Sequence, residues 1–97
     1  MTYITEAEVA RIIAGICEDR ETIVRHNPIG TEEEILLWML LSCLVSYLSL
    51  EEQETPCFTG RPDAETYRDA IKFVLAKRKE PHFDEGIYLG RLSDLKL

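Results

Sequence analysis

The amino-acid sequence predicts an all-α fold, a small three-helix bundle with a C-terminal strap or a short fourth helix. Three observations lead to this prediction: the chain is short, it contains two helix-capping motifs, and three stretches carry apolar residues at helical spacing. A chain of 97 residues supports one hydrophobic core, so we expect a single domain over residues 1–97. Its hydrophobic fraction of 45% is typical of a globular protein.

The first predicted helix spans residues 6–26. Thr5 and Glu8 form a capping box at its start, and apolar residues follow at helical spacing as far as Val24. The helix ends before Pro28, because the residue that precedes a proline avoids the helical conformation.

The second predicted helix spans residues 32–50 and begins with a second capping box, formed by Thr31 and Glu34. Its strongest apolar side consists of Leu37, Leu40, Leu41, Leu44 and Leu48. The 16 residues from Ile35 to Leu50 carry no charge, but a membrane-spanning helix needs about 20 apolar residues. We therefore expect a buried helix and no membrane association.

The third predicted helix spans residues 63–79, with the cations Lys77, Arg78 and Lys79 at its C-terminus, where the helix dipole favours them. The tail, residues 82–97, is open to two interpretations. Leucines at helical spacing favour a short helix, whereas two glycines favour an irregular strap across the bundle. These residues are Leu89, Leu92 and Leu95, and Gly86 and Gly90.

The net charge of −7 is unevenly distributed along the chain. Residues 1–60 contain 11 acidic and three basic residues, a net charge of −8, and residues 61–97 carry +1. An acidic protein is repelled by phosphate groups, so direct binding to nucleic acid is not expected. An acidic decoy, which occupies the nucleic-acid-binding surface of another protein, is a hypothesis that rests on charge alone.

The three cysteines are odd in number and form no CxxC motif, and the first residues lack a signal-peptide pattern. We therefore expect free thiols and a cytoplasmic protein. Cys17 and Cys43 are predicted to lie in the core. Cys57 is the candidate reactive thiol, because it lies in a loop close to Arg61. The alternative, which we favour, is that Cys57 and Phe58 pack into the core and hold this loop.

No motif for metal, cofactor or catalysis is present. The two histidines, His26 and His82, belong to no HxxxH or CxxH pattern, and the sequence contains no glycine-rich phosphate loop and no GxSxG elbow. The carboxylates cluster at helix ends, where they are usually solvated. We expect no metal, no cofactor and no catalytic residues, and we favour binding over catalysis.

Arg20 lies at the centre of the apolar stripe of the first helix, where a cation cannot be buried without a partner. Its side chain can extend its charged end to solvent at the edge of the bundle, which is the commonest case. It can instead pair with a buried acid, or mark a groove that accepts a carboxylate. A small ligand-binding or thiol-dependent enzyme centred on Arg20 and Cys57 is accordingly the second functional hypothesis.

The side of the second helix opposite its leucines is the candidate binding surface. It consists of Ile35, Trp38, Met39, Ser42, Val45, Ser46 and Ser49. Exposed together, these residues would form an unusually large apolar patch for a monomer. Alternatively, this is simply the less buried side, with serine hydroxyls bonded to the preceding turn. Our first hypothesis is a cytoplasmic helical module for protein interaction or regulation that forms a homodimer, or binds another protein, through this side.

Overall fold

The computed structural model describes residues 3–27, 30–58, 63–84, 86 and 92–95. The described residues form an all-α bundle, which confirms the predicted fold class. Its four α-helices are α1 (Glu6–Glu18), α2 (Arg20–His26), α3 (Glu32–Leu44) and α4 (Ala64–Arg78). Short 3₁₀ turns lie at Val45–Tyr47, Glu52–Glu54, Pro56–Phe58 and Leu92–Leu95. No helix in the described residues is both long enough and apolar enough to cross a membrane.

Three of the helices begin at a side chain that accepts a hydrogen bond from the backbone. The Thr5 and Thr31 hydroxyls accept the amide three residues ahead at 3.1 and 3.2 Å, as both capping motifs predict. Asp63 accepts the Thr66 amide in the same way at 2.7 Å. These bonds satisfy amides that have no partner within the helix, so the starts of α1, α3 and α4 are locally encoded.

The segment predicted as one helix over residues 6–26 is two helices that meet at Asp19. Asp19 has φ −96° and ψ 9°, outside the helical region, and aspartate is a poor residue for a helix interior. After this break, α2 packs against α3. Ile23 and Val24 of α2 are partly buried against the core.

The helices α1 and α3 are antiparallel neighbours. Tyr47, just after α3, donates a hydrogen bond from its hydroxyl to Glu8 in the first turn of α1. At the other end of the bundle, Arg20 donates from Nε to Glu32 Oε1 in the first turn of α3, at 2.7 Å. The end of each helix therefore lies at the start of the other.

The helices α3 and α4 are parallel. Arg68, near the start of α4, pairs with Glu33 in the first turn of α3. Arg78, at the end of α4, donates from Nε to the Tyr47 carbonyl at 2.9 Å and pairs with Glu52. The connection between the two helices must therefore return along the bundle, which explains its length.

The core is centred on α3. Leu37, Leu40, Leu44 and Leu48 are buried, as predicted, whereas Leu41 is only half-buried. Leu36 is also fully buried, although the predicted apolar side did not include it. Because α3 contacts α1, α2 and α4, a wider arc of its surface is covered than a single stripe would require.

The tail is described in two parts, and both contact α1. Phe83 is buried, and the Asp84 amide donates to Glu6 Oε1 at 2.8 Å, in the first turn of α1. The turn Leu92–Leu95 packs against α1, and its Leu95 lies in the core. These two parts lie against α1, whereas residues 85, 87–91, 96 and 97, Leu89 and Gly90 among them, lie outside the described residues.

Candidate interaction surface

The side of α3 that faces away from the core carries an uncharged surface, which we call the α3 surface. It consists of Trp38, Met39, Ser42, Cys43, Val45 and Ser46, on α3 and in the 3₁₀ turn that follows it. The Trp38 side chain is 43% exposed, and Ser42, Cys43 and Ser46 are also exposed. Met39 and Val45 are half-buried and pack partly against the core. Five of the seven residues predicted for this surface are therefore at least partly accessible there.

The serine hydroxyls of the α3 surface are bonded to the helix backbone. Ser42 Oγ donates to the Trp38 carbonyl at 2.8 Å, and Ser46 Oγ donates to the Cys43 carbonyl at 3.2 Å. This is the backbone bonding that the alternative interpretation anticipates. It also means that another protein could cover these small side chains without depriving the hydroxyls of a hydrogen-bond acceptor.

Ile35 does not contribute to the α3 surface, contrary to the prediction, because it is only 5% exposed. The helix α2 packs against α3, and Arg20 at its start reaches Glu32. The first turns of α3 therefore have a neighbour that periodicity within one helix does not reveal.

Ser49 also differs from its predicted role as a small residue on a helix face. It lies beyond α3 and forms a reciprocal capping box with Glu52. The Ser49 amide donates to Glu52 Oε1 at 2.9 Å, and the Glu52 amide donates to Ser49 Oγ at 3.1 Å. The spacing of serine and glutamate in the sequence carries this signal.

Cys43 is exposed, although its aliphatic neighbours in the sequence predicted a core position. Its position on α3 lies about 140° from Trp38 around the helix axis, at the edge of the arc that the neighbouring helices leave uncovered. Cys43 is therefore the one residue of the α3 surface that the sequence analysis missed. A helical projection could have identified it only if the positions of the other helices had been known.

Arg20 extends from the apolar stripe to the edge of the bundle and is satisfied there. Besides its bond to Glu32, it donates from Nη1 to the Leu95 carbonyl. Its side chain is 24% exposed, and no charged residue in the described part of the chain is fully buried. The side chain therefore reaches the surface, as in the commonest of the three alternatives, and the acid with which it pairs is exposed rather than buried.

An open depression of about 350 Å³ adjoins Arg20. Its lining consists of Arg20, Glu21, Val24, Arg25 and Glu32. Both arginines are paired, since Arg25 Nη2 lies 3.0 Å from Glu21 Oε1. The depression therefore offers a ligand carboxylate no unpaired cation, and its geometry does not favour the hypothesis of an anion-binding groove.

Cys57 lies half-buried in the 3₁₀ turn Pro56–Phe58. Burial raises the pKa of its thiol, and the charge of Asp69 raises it further, while a backbone hydrogen bond acts in the opposite direction. The neighbouring Phe58 packs edge-to-face against Phe73, with the ring centroids 5.7 Å apart. These contacts are typical of a loop held by its apolar side chains, whereas a reactive cysteine needs a lowered pKa. Arg61, its expected cationic neighbour, lies outside the described residues.

Neither possible metal ligands nor similarity to known proteins indicates a further site in the described residues. In the part of the chain that the structure describes, no group of three or more His, Cys, Asp or Glu side chains could hold a metal ion. No protein family model, curated protein or solved structure matches the chain. The features of the described residues that bear on function are therefore the α3 surface and the contacts around Arg20.

Proposed function

We propose that this chain is a cytoplasmic protein-interaction or regulatory module that forms a homodimer through the α3 surface. The observation that carries the proposal is the exposure of Trp38, 43%, on the central helix of the bundle. Tryptophan is the side chain most often found at the energetic centre of protein interfaces. Its neighbours Ser42, Cys43 and Ser46 are small and exposed, so a second helix can approach closely beside it.

The charge distribution supports contact at this surface. Two copies that each carry a net charge of −7 repel one another, so an interface between them needs a region free of carboxylates. The α3 surface has no charged residue. Two acids in the first turn of α3 and one in the turn Glu52–Glu54 are also paired with arginines of the same chain: Glu32 with Arg20, Glu33 with Arg68, and Glu52 with Arg78.

A two-fold symmetric dimer is the simplest arrangement, because one patch then serves both copies. The α3 surface is compatible with it, since its serine hydroxyls are already bonded to their own backbone. The free thiols of Cys43 and Cys57 support the cytoplasmic part of the proposal.

Sedimentation velocity over a range of protein concentrations tests the homodimer. We expect the unmodified chain to dimerise as its concentration rises, with a blue shift of the Trp38 fluorescence. Ser46→Glu places like charges at the interface and should yield a folded monomer. Ala76→Glu, on the exposed side of α4, is the matched control and should leave the dimer intact.

A thiol cross-linker provides a second measurement, because Cys43 is the exposed cysteine of the three. A short bis-maleimide should join two copies, and Cys43→Ser should abolish this product. A chain that stays monomeric at every concentration, with Trp38 emission independent of concentration, would contradict the homodimer.

A further inference from the structure

The side chains of the α3 surface differ in size along the helix. The large Trp38 and Met39 lie in the second turn of α3, whereas the small Ser42 and Ser46 lie further along. At a rise of about 1.5 Å per residue, Trp38 lies about 6 Å before Ser42 along the helix axis, and Ser46 lies a similar distance beyond it. The α3 surface therefore has a larger half and a smaller half, which meet at Ser42.

The two halves are placed evenly around Ser42. At about 100° per residue, Trp38 and Ser46 lie about 40° to opposite sides of Ser42 around the helix axis. Met39 and Val45 lie about 60° to opposite sides in the same way. A two-fold axis that passes through Ser42 at right angles to α3 therefore brings Trp38 of one copy against Ser46 of the other, and Met39 against Val45.

The charges along the chain indicate where two copies can cross. The segment Ile35–Leu50 contains no charged residue, and its midpoint lies between Ser42 and Cys43. Glutamates flank the segment on both sides, at Glu34 and at Glu51. Glu34 lies about 12 Å from Ser42 along the helix, which exceeds the screening length of about 8 Å at physiological ionic strength. A crossing at Ser42 therefore keeps both groups of carboxylates away from the contact, whereas a crossing near either end of the segment does not.

We propose that the second copy lies antiparallel on the α3 surface, with the two α3 helices crossing at Ser42 and with Trp38 of each copy packed against Ser46 of the other. The proposal rests on the homodimer proposed above and adds its orientation. Large side chains then face small ones, which fills the contact without voids. A parallel arrangement sets the two Trp38 side chains against each other and leaves serine facing serine. It also aligns the two helix dipoles in the same direction, which is unfavourable.

Disulfide trapping in the assembled homodimer tests the orientation. Ser42→Cys and Ser46→Cys are conservative in size, and each is made in a chain whose Cys17, Cys43 and Cys57 are replaced by alanine. A disulfide needs Cα atoms within about 7 Å of each other. Position 42 meets its counterpart on the two-fold axis, whereas the two copies of position 46 lie about 12 Å apart along the helices. We expect mild oxidation to link Ser42→Cys at least about tenfold faster than Ser46→Cys, and equal rates would overturn the proposal.

A mixture of two further variants is the matched experiment. Met39→Cys and Val45→Cys, each in the same chain without other cysteines, are mixed in equal amounts and oxidised. The antiparallel orientation places position 39 of one copy against position 45 of the other, so the mixed disulfide should exceed either like-with-like disulfide by about tenfold. A dimeric mixture in which the like-with-like disulfides predominate would overturn the proposal.

Sedimentation velocity before oxidation separates this proposal from the homodimer itself. A dimer with the wrong linkage pattern contradicts the orientation alone, whereas a chain that is monomeric with and without the substitutions contradicts the homodimer and the orientation together. Circular dichroism of the unmodified chain keeps the test valid if a cysteine variant fails to fold. Trp38 is the one tryptophan of the chain, so a strong exciton couplet that grows with dimerisation would show Trp38 against Trp38 and overturn the antiparallel orientation.

Discussion

Arg20 joins three parts of the molecule through one guanidinium. It starts α2, donates to Glu32 of α3, and donates to the Leu95 carbonyl of the C-terminal turn. Its position among apolar residues is therefore compatible with a charged end group, because that end group has acceptors at the edge of the bundle. Arg20 therefore has a structural role in this arrangement.

Replacement of Arg20 should destabilise the fold. We expect Arg20→Met to lower the free energy of unfolding by about 1–3 kcal/mol, as for the loss of hydrogen bonds to a partly exposed charged group. Urea denaturation measures the change. Arg25→Met is the control, and it should cost no more than about 0.5 kcal/mol, because the pair of Arg25 with Glu21 is exposed. Equal losses in the two variants would contradict the structural role of Arg20.

At the scale of elements, the end of α3 is determined by the turn that follows it. The helix gives way to a 3₁₀ turn at Val45, and Leu48 has φ −100° and ψ 148°, which is extended backbone. The Ser49–Glu52 capping box then starts a new turn. Gln53 in this turn donates hydrogen bonds from Nε2 to the Val45 carbonyl at 3.4 Å and to the Leu48 carbonyl at 3.3 Å. These bonds explain why the predicted helix over residues 32–50 stops early.

Loss of the Ser49 hydroxyl should weaken this turn. We expect Ser49→Ala to lower the free energy of unfolding by about 0.5–2 kcal/mol, the usual cost of losing a capping side chain. Ser42→Ala is the control, because Ser42 is exposed within α3 and alanine favours the helix, so its effect should stay within about 0.5 kcal/mol. Thermal unfolding compares the two, and a larger effect of Ser42→Ala would count against the capping role of Ser49.

The capping box should also make stability depend on pH. The hydrogen bond from the Ser49 amide, chiefly, holds the pKa of the Glu52 carboxyl below its usual range, and the charge of Arg78 also lowers it. A carboxylate with a lowered pKa stabilises the fold above the pKa of the unfolded chain, and this contribution disappears as the pH falls through the folded pKa. Melting temperatures of the unmodified chain and of Glu52→Gln should therefore differ most at neutral pH and converge in acid. A difference that grows in acid would contradict this assignment.

At the scale of the whole molecule, net charge and apolar exposure act in opposite directions on self-association. The chain carries a net charge of −7, yet the residues of the α3 surface are uncharged and include the exposed Trp38. Association through the α3 surface therefore buries apolar surface, which favours the dimer, while the two acidic copies repel each other at long range. The balance between them depends on ionic strength.

Salt should accordingly strengthen the proposed homodimer. Added salt screens the repulsion between two acidic copies and leaves apolar contacts in place, so we expect the dissociation constant to fall between low and physiological ionic strength. Sedimentation equilibrium at several salt concentrations measures this change. A homodimer that weakens with salt would show that charge pairs, rather than the uncharged α3 surface, hold the two copies together.

The sequence by itself determined the helical class, the starts of α1, α3 and α4 and most of the core, because capping and apolar periodicity act within one helix. Thr5, Thr31 and the leucines of α3 lie as predicted. Only the tertiary structure decided which side of α3 stays exposed, since this depends on where the neighbouring helices pack. Ile35 is buried and Cys43 is exposed for this reason. The two acceptors of Arg20 were likewise beyond prediction, because they come from segments 12 and 75 residues away.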